Sequence, residues 1–310
     1  MTSPARVPAP APASGAAPSA APAAPVSGTS GAPGTWFVTG ASRGLGLELV
    51  RQVLAQGGSV AATTRSAERL TAALGEGADT GRLLPLTVDL TEENQVADAV
   101  GRAVDRFGRL DVVVNNAGYG FLGAVEETGD KEVRDMLDVQ VVGVWNVLRA
   151  ALPVLRAQRG GRVVNVSSVL GLTAVPGWAL YCAGKFALEG LTEALAAEVE
   201  EFGVKVTLVE PGYFRTSFLT PDSLALPAQT SAHYPAVRAM VEDHIRLQGH
   251  QLGDPVKGAA AIIRRAATDG PLRQILGSDA HAYATAKVEA LRADLDATAA
   301  DAPATDFPSA

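Results

Sequence analysis

The stretch Thr39-Gly40-Ala41-Ser42-Arg43-Gly44-Leu45-Gly46 decides how the rest of the chain is read. Before it comes a short run suited to a strand, Trp36-Phe37-Val38-Thr39, and after it a helix-length segment, residues 47–56, that stops at Gly57-Gly58. Glycine at 40 permits a tight turn, glycine at 44 lets a diphosphate approach the backbone, and glycine at 46 lets helix and strand pack closely. The free N–H groups at the start of the helix then face the phosphates. The spacing is Gly-x-x-x-Gly-x-Gly, and a glycine-rich loop alone is a weak signal. A loop placed between a strand and a helix, at the head of an alternating series, is much stronger.

That series runs outward from the loop. Strand-like runs fall at 59–63, 83–88, 110–115, 162–166, 205–209 and 272–276. Helix-like segments fall between them at 66–74, 91–107, 131–158 and 178–202, with a helical insertion before the last strand. Continuous apolar strands alternating with helices predict a parallel sheet of about seven strands covered on both faces, a doubly wound α/β fold. Ligands of such sheets bind beyond the carboxyl ends of the strands.

The 310 residues are 47% hydrophobic and carry a net charge of -7, a balance that argues against nucleic acid or an anionic membrane as a partner. The single cysteine, Cys182, rules out an intrachain disulfide and gives no sign of an oxidising compartment, so a cytoplasmic location is expected. No uninterrupted apolar run reaches the ~18 residues of a membrane span. Residues 1–34 are mostly Ala, Pro, Ser and Gly with Arg6 as their only charged side chain, and read as a disordered tail. A catalytic domain is expected over 35–290 and a flexible tail over 291–310.

The second strand ends Ala62-Thr63-Thr64-Arg65, with no carboxylate to hold ribose hydroxyls. Arg65 follows at once and Arg43 lies within the loop. Two guanidiniums and no acid favour a 2′-phosphate, hence NADP(H); the alternative is two solvated surface arginines. Tyr181 and Lys185, four apart, lie one turn from each other on a helix, and a nearby ammonium would lower the phenol's pKa.

With Asn115-Asn116-Ala117-Gly118 the sequence resembles the short-chain dehydrogenase/reductase family, closely over 35–218 and more loosely to about 290. The motifs agree in order: the glycine loop, Asp89 and Leu90 after the third strand, Asn116 to Gly118, Ser168 thirteen residues before Tyr181, Pro211-Gly212, and Thr216. The resemblance implies a Rossmann-like domain in which Gly40, Ser42, Arg43, Gly44, Leu45, Gly46, Arg65, Asp89, Leu90, Asn116, Ala117, Gly118, Pro211, Gly212 and Thr216 bind NADP(H), helped by Tyr181 and Lys185. It implies Ser168, Tyr181 and Lys185 as the catalytic group, with hydride transfer between a carbonyl and a secondary alcohol. Homodimers or homotetramers built through the two long helices are likewise implied. Many members carry an asparagine in the long helix after the fourth strand, where it supports a water that relays protons to the lysine; Gln140 stands in that place here. Gln140 is expected to tune proton supply without abolishing catalysis.

Residues 213–252 hold Pro221, Pro227, Pro235, Tyr213, Phe214, Phe218, Tyr234, His233, His244 and His250, and the resemblance makes this segment a helical lid over the substrate. The histidine spacing fits no metal set, so no metal is expected. Trp178, Phe121 and Leu122 read equally as a cleft wall or as core. Two further functions compete with carbonyl reduction: the same site used for dehydration, epimerisation or a cyclisation-linked step, and a non-catalytic nucleotide sensor. The sensor reading conflicts with intact Ser, Tyr and Lys positions.

Overall fold

The computed structural model describes residues 34–75 and 81–307. The strands are β1 Thr35–Thr39, β2 Ser59–Thr64, β3 Leu83–Thr87, β4 Val112–Asn115, β5 Gly120–Phe121, β6 Gly161–Val166, β7 Val204–Pro211, β8 Leu224–Ala225 and β9 Arg273–Leu276. Seven of them form one parallel sheet in the order β3-β2-β1-β4-β6-β7-β9, while β5 and β8 pair separately. The chain winds outward from β1 to β3 and then returns to β4. The strand order therefore reverses beside β1, and the crevice opens there.

Alternate strand residues feed two opposite cores. Phe37, Ala61, Val113 and Val163 enter one; Trp36, Val38, Val60, Val112, Val114 and Val164 enter the other. Both faces of each strand are covered, which is why the strands read as continuous apolar runs. The first core is closed by α3 Glu93–Phe107, α5 Gly143–Gln158 and α6 Ala179–Glu198, the second by α1 Gly44–Ala55, α2 Ala67–Leu74 and α8 Pro255–Ala267. The remaining helices are α4 Asp130–Leu137, α7 Pro235–Leu247 and α9 Ser278–Thr298.

One expected helix is corrected. The single helix expected over 131–158 is divided: α4 and α5 are joined by a π-helical turn, Asp138–Val142. Gly143 follows the turn, and a Cβ there would lie 3.1 Å from Leu90 Cβ, so the wider turn brings the backbone close to the end of β3. Such insertions into helices concentrate at functional sites. By length and composition the whole stretch Asp130–Gln158 could cross a membrane, although no uninterrupted run does so in the sequence. Its side chains Val144, Val147, Leu148, Ala151 and Leu155 are spent on the first core. At the other end, α9 runs to Thr298, past the expected tail boundary at 290. Alanine and leucine favour helix even where, as here, the last residues are exposed. The tail expected over 1–34 lies, except for Gly34, outside the described residues.

Candidate active site

The glycine loop leaves β1 and enters α1. Gly40 has φ +66, and a Cβ there would sit 2.7 Å from Ala117 Cα, so the loop and the end of β4 touch backbone to backbone. Gly44 has φ +57 and faces Thr216, whose side chain lies 3.5 Å from the position a Cβ would take. Arg43 is the N-cap of α1 and makes no side-chain capping bond. The first N–H groups of α1 are thus left for an external acceptor, as an anion site requires. Thr39 Oγ1 accepts from the N–H groups of Asn116 (3.0 Å) and Ala117 (3.1 Å), and Asn116 Nδ2 donates to the carbonyls of Thr39 and Gly40. These bonds fasten Asn116, Ala117 and Gly118 to the loop.

Farther along the same edge, Asp89 is exposed and its Oδ1 accepts from the N–H and hydroxyl of Thr91. The Leu90 carbonyl accepts from Asn146 Nδ2 at 2.8 Å. Arg65 is exposed at the end of β2. Arg43 also has a partner within the protein. Its guanidinium donates to the Asp222 carbonyl at 2.8 Å, which ties the loop to the lid. Burial and then the neighbouring Arg65 push its pKa down, and Arg69 adds to the same effect. Arg69, on α2, was not legible as a member of this cationic group, because its neighbours come from two other loops.

On the opposite side of the crevice, β6 delivers Ser168, and α6 presents Tyr181 and Lys185. The Ser168 hydroxyl lies beside the Tyr181 phenol and accepts from Leu170 N–H at 3.1 Å. Ser167 faces away and is buried beside Gly171. Lys185 is buried; its Nζ donates to the Val166 carbonyl at 2.9 Å and lies 5.7 Å from the Tyr181 ring centroid. The expected lowering of the Tyr181 pKa is corrected. Burial pushes the phenol well above its ordinary range, and the neighbouring Ser168 hydroxyl opposes that only in part. Lys185 is itself desolvated and brought down to about 8, with the Glu189 carboxylate one turn on acting the other way. Behind it, Glu210 is fully buried and pushed up, first by burial and then by Glu189.

Gln140 sits on the π turn. Its Nε2 donates to the Tyr119 carbonyl at 2.8 Å, and its Oε1 is buried with no hydrogen-bond partner among the described residues. A Cβ on Gly184 would come within 2.9 Å of that oxygen, so Gly184 makes room for the longer amide. Gly118 faces both Gln140 and Lys185 Nζ. Pro211 ends β7, and Gly212 N–H bonds the Leu276 carbonyl at 2.9 Å beside Asp279.

Trp178, Leu122 and Tyr181 belong to one buried cluster with Leu219, Leu224 and Val241, so Trp178 and Leu122 are at once core and support for the tyrosine. Trp178 meets Tyr181 edge-on at 5.4 Å and Phe218 meets its other side at 5.8 Å. Phe121 belongs to a smaller cluster with Met136 and Leu180.

Residues 35–225 match the short chain dehydrogenase family. The chain belongs to that family. Oxidoreductase BOA17 of Botryotinia fuckeliana is 37% identical over 259 residues, 83% of this chain and 94% of that protein. A short-chain dehydrogenase from Streptomyces avermitilis, 36% identical, superposes with a TM-score of 0.80 over 90% of this chain and 100% of its own. A metagenomic short-chain oxidoreductase solved in complex with NADP, 26% identical, gives 0.62 over 79% and 96%. As a short-chain dehydrogenase the protein is an oxidoreductase, and the crevice described above is where this fold places its ligands.

Proposed function

We propose that the protein is an NADP(H)-dependent oxidoreductase that interconverts a carbonyl and a secondary alcohol with Ser168, Tyr181 and Lys185. The observation that carries the reading is the convergence of Ser168, Tyr181 and the buried Lys185, whose Nζ lies 5.7 Å from the Tyr181 ring centroid, opposite an uncapped helix N-terminus. The residues fit a dinucleotide: a Cβ at Gly40 would occupy the space where loop and β4 meet, and the N–H groups at the start of α1 have no side-chain cap. Gly40 to Gly46 and Asn116 to Gly118 would hold the diphosphate side, Asp89 and Leu90 the adenine side, and Pro211, Gly212 and Thr216 the nicotinamide side. Arg65, Arg43 and Arg69 supply positive charge for a 2′-phosphate, and the NADP bound by a structural neighbour supports that choice. The dinucleotide's chemistry there is the supply or removal of a hydride.

The protein's own part is proton transfer and charge stabilisation. With its pKa raised by burial, Tyr181 remains protonated through neutral pH, the form needed to donate to an oxygen that becomes an alkoxide. Ser168 donates a second hydrogen bond to the same oxygen. Lys185, brought down to about 8, is close enough to neutrality to exchange a proton on the Tyr181 side of the cleft. Trp178 and the half-buried Phe218 pack edge-on against the phenol ring and lower the polarity around it. Oxidation of an alcohol is the same path reversed.

The test is NADPH consumption against a panel of ketones and quinones. Tyr181→Phe is expected to lower turnover by roughly 10²- to 10⁴-fold while NADPH binding persists. Turnover that survives the substitution overturns the assignment.

A further inference from the structure

His244, on α7 of the lid, is buried yet faces two polar partners. Its Nδ1 lies 2.8 Å from the Met240 carbonyl and its Nε2 lies 2.8 Å from the Tyr213 hydroxyl. The Met240 carbonyl can only accept, so Nδ1 must carry the proton. While the imidazole is neutral, a proton on Nδ1 leaves a lone pair at Nε2, and the Tyr213 hydroxyl donates to it. The hydroxyl's one proton is thereby used, and the Tyr213 oxygen is left with acceptor capacity alone.

The pair is continuous with the active site. Trp178 contacts His244 at 5.1 Å between ring centroids and Tyr181 at 5.4 Å, and His244 contacts Tyr213 at 5.6 Å. Tyr213 is itself only half-buried. Its backbone is fixed on both sides: its N–H donates to Asp279 Oδ2 at 2.8 Å, and its carbonyl accepts from Gly253 N–H at 2.8 Å. The apolar cluster that backs Tyr181, with Trp178, Phe218, Leu219 and Val241, packs beside these groups. A fixed acceptor in an apolar cleft discriminates strongly, because a ligand that fails to satisfy it leaves it desolvated and unpaired.

We propose that the Tyr213–His244 pair is a second polar anchor of the substrate cleft, selecting carbonyl or alcohol substrates that carry a hydrogen-bond donor, a hydroxyl or N–H, away from the reacting carbon. It rests on the oxidoreductase reading for the reacting end and adds the substrate class. Tyr213 acts here as a specificity residue and His244 as the residue that orients it.

The experiment uses full-length protein loaded with NADP+ and two ligands, a decalone and a hydroxydecalone with its hydroxyl on the far ring, compared by calorimetry. The hydroxydecalone is expected to bind roughly 3- to 10-fold more tightly, the worth of one hydrogen bond, and the preference is expected to vanish in Tyr213→Phe. Equal binding of the two, no binding of either, or a preference that persists in Tyr213→Phe overturns the proposal. Nitrogen-15 spectra of histidine-labelled protein, assigned with His244→Gln, give an independent check: a His244 that carries a proton on Nε2, as the other tautomer or as the cation, also overturns it. Selective binding without NADPH turnover would count against the oxidoreductase reading alone.

Discussion

Between Thr35 and Gly118 the crevice is shaped chiefly by strand ends and a glycine loop; between Tyr213 and Leu252 it is held by side chains reaching distant parts of the chain. On the first side, each contact is made within a few residues of a strand end: the glycine loop, Thr39 Oγ1 on Asn116 and Ala117, and Gly40 against Ala117. On the second side, contacts join distant parts of the chain. Glu127 Oε1 accepts from Ser231 N–H at 2.6 Å and the same carboxylate pairs with Arg238; Gln248 Nε2 donates to the Thr216 carbonyl at 3.0 Å; Arg43 reaches Asp222. A backbone cradle suits a ligand that never varies, whereas a side-chain lid can be altered residue by residue without disturbing the sheet. The physical consequence is that damage to the cradle should be large and indiscriminate, and damage to the lid smaller and ligand-dependent.

Gly40→Ala is the severest way to test the first half of that statement. It places a Cβ at φ +66 and against Ala117. NADPH affinity measured by fluorescence titration is expected to fall more than about 100-fold, from left-handed strain and overpacking together. Near-normal affinity would mean that the loop relaxes and that the cradle is not set by backbone contact. Arg65→Ala removes a single charged partner, so NADPH affinity is expected to drop roughly 10- to 100-fold while NADH affinity stays as it was. A wild-type preference for NADH, or an equal loss for both cofactors, would refute the phosphate role of the arginines.

On the lid side the effects are smaller. Hydrogen bonds from the Ser231 and Ala124 N–H groups hold the Glu127 carboxyl below its usual range, with Arg238 helping. A depressed folded pKa contributes stability above the unfolded value of 4.5 and loses it as pH falls through the folded value. Glu127→Gln should therefore flatten part of the acid limb of denaturation profiles, and raise KM severalfold with NADPH affinity unchanged. A change confined to NADPH affinity would put Glu127 on the wrong side of the comparison. The smallest expected effect is that of Gln140→Asn. The shorter amide withdraws from the Tyr119 carbonyl, and a shift of severalfold or less in turnover is expected, together with a displaced pH profile. An unchanged rate and profile would remove Gln140 from proton supply.

The sheet and the cradle were legible in the sequence because their determinants are local. A strand buried on both faces must be apolar throughout, and a loop that carries backbone against backbone must be glycine. The placement of Tyr181 and Lys185 on one helix face follows from spacing alone. The lid could be located by its prolines and aromatics, but its contacts could not, since Tyr213 and His244 are 31 residues apart and neither position is marked by any short-range pattern. The π turn was hidden for a related reason: residues 138–142 carry no breaker, and the turn is seen only where Gly143 meets Leu90 and where Gln140 finds the Tyr119 carbonyl.

The protonation of the proposed catalytic group divides along the same line. Sequence spacing brings an ammonium near a phenol and by itself suggests a lowered pKa. Burial among Trp178, Phe218 and Leu219 raises it instead, and brings Lys185 down to about 8. Sequence by itself determined the parallel sheet, the nucleotide cradle and the residues set around the crevice. Only the tertiary structure decided their protonation, the hold of Arg43 on the lid, and the pairing of Tyr213 with His244, because desolvation and the mutual orientation of distant polar groups exist only once the elements have packed.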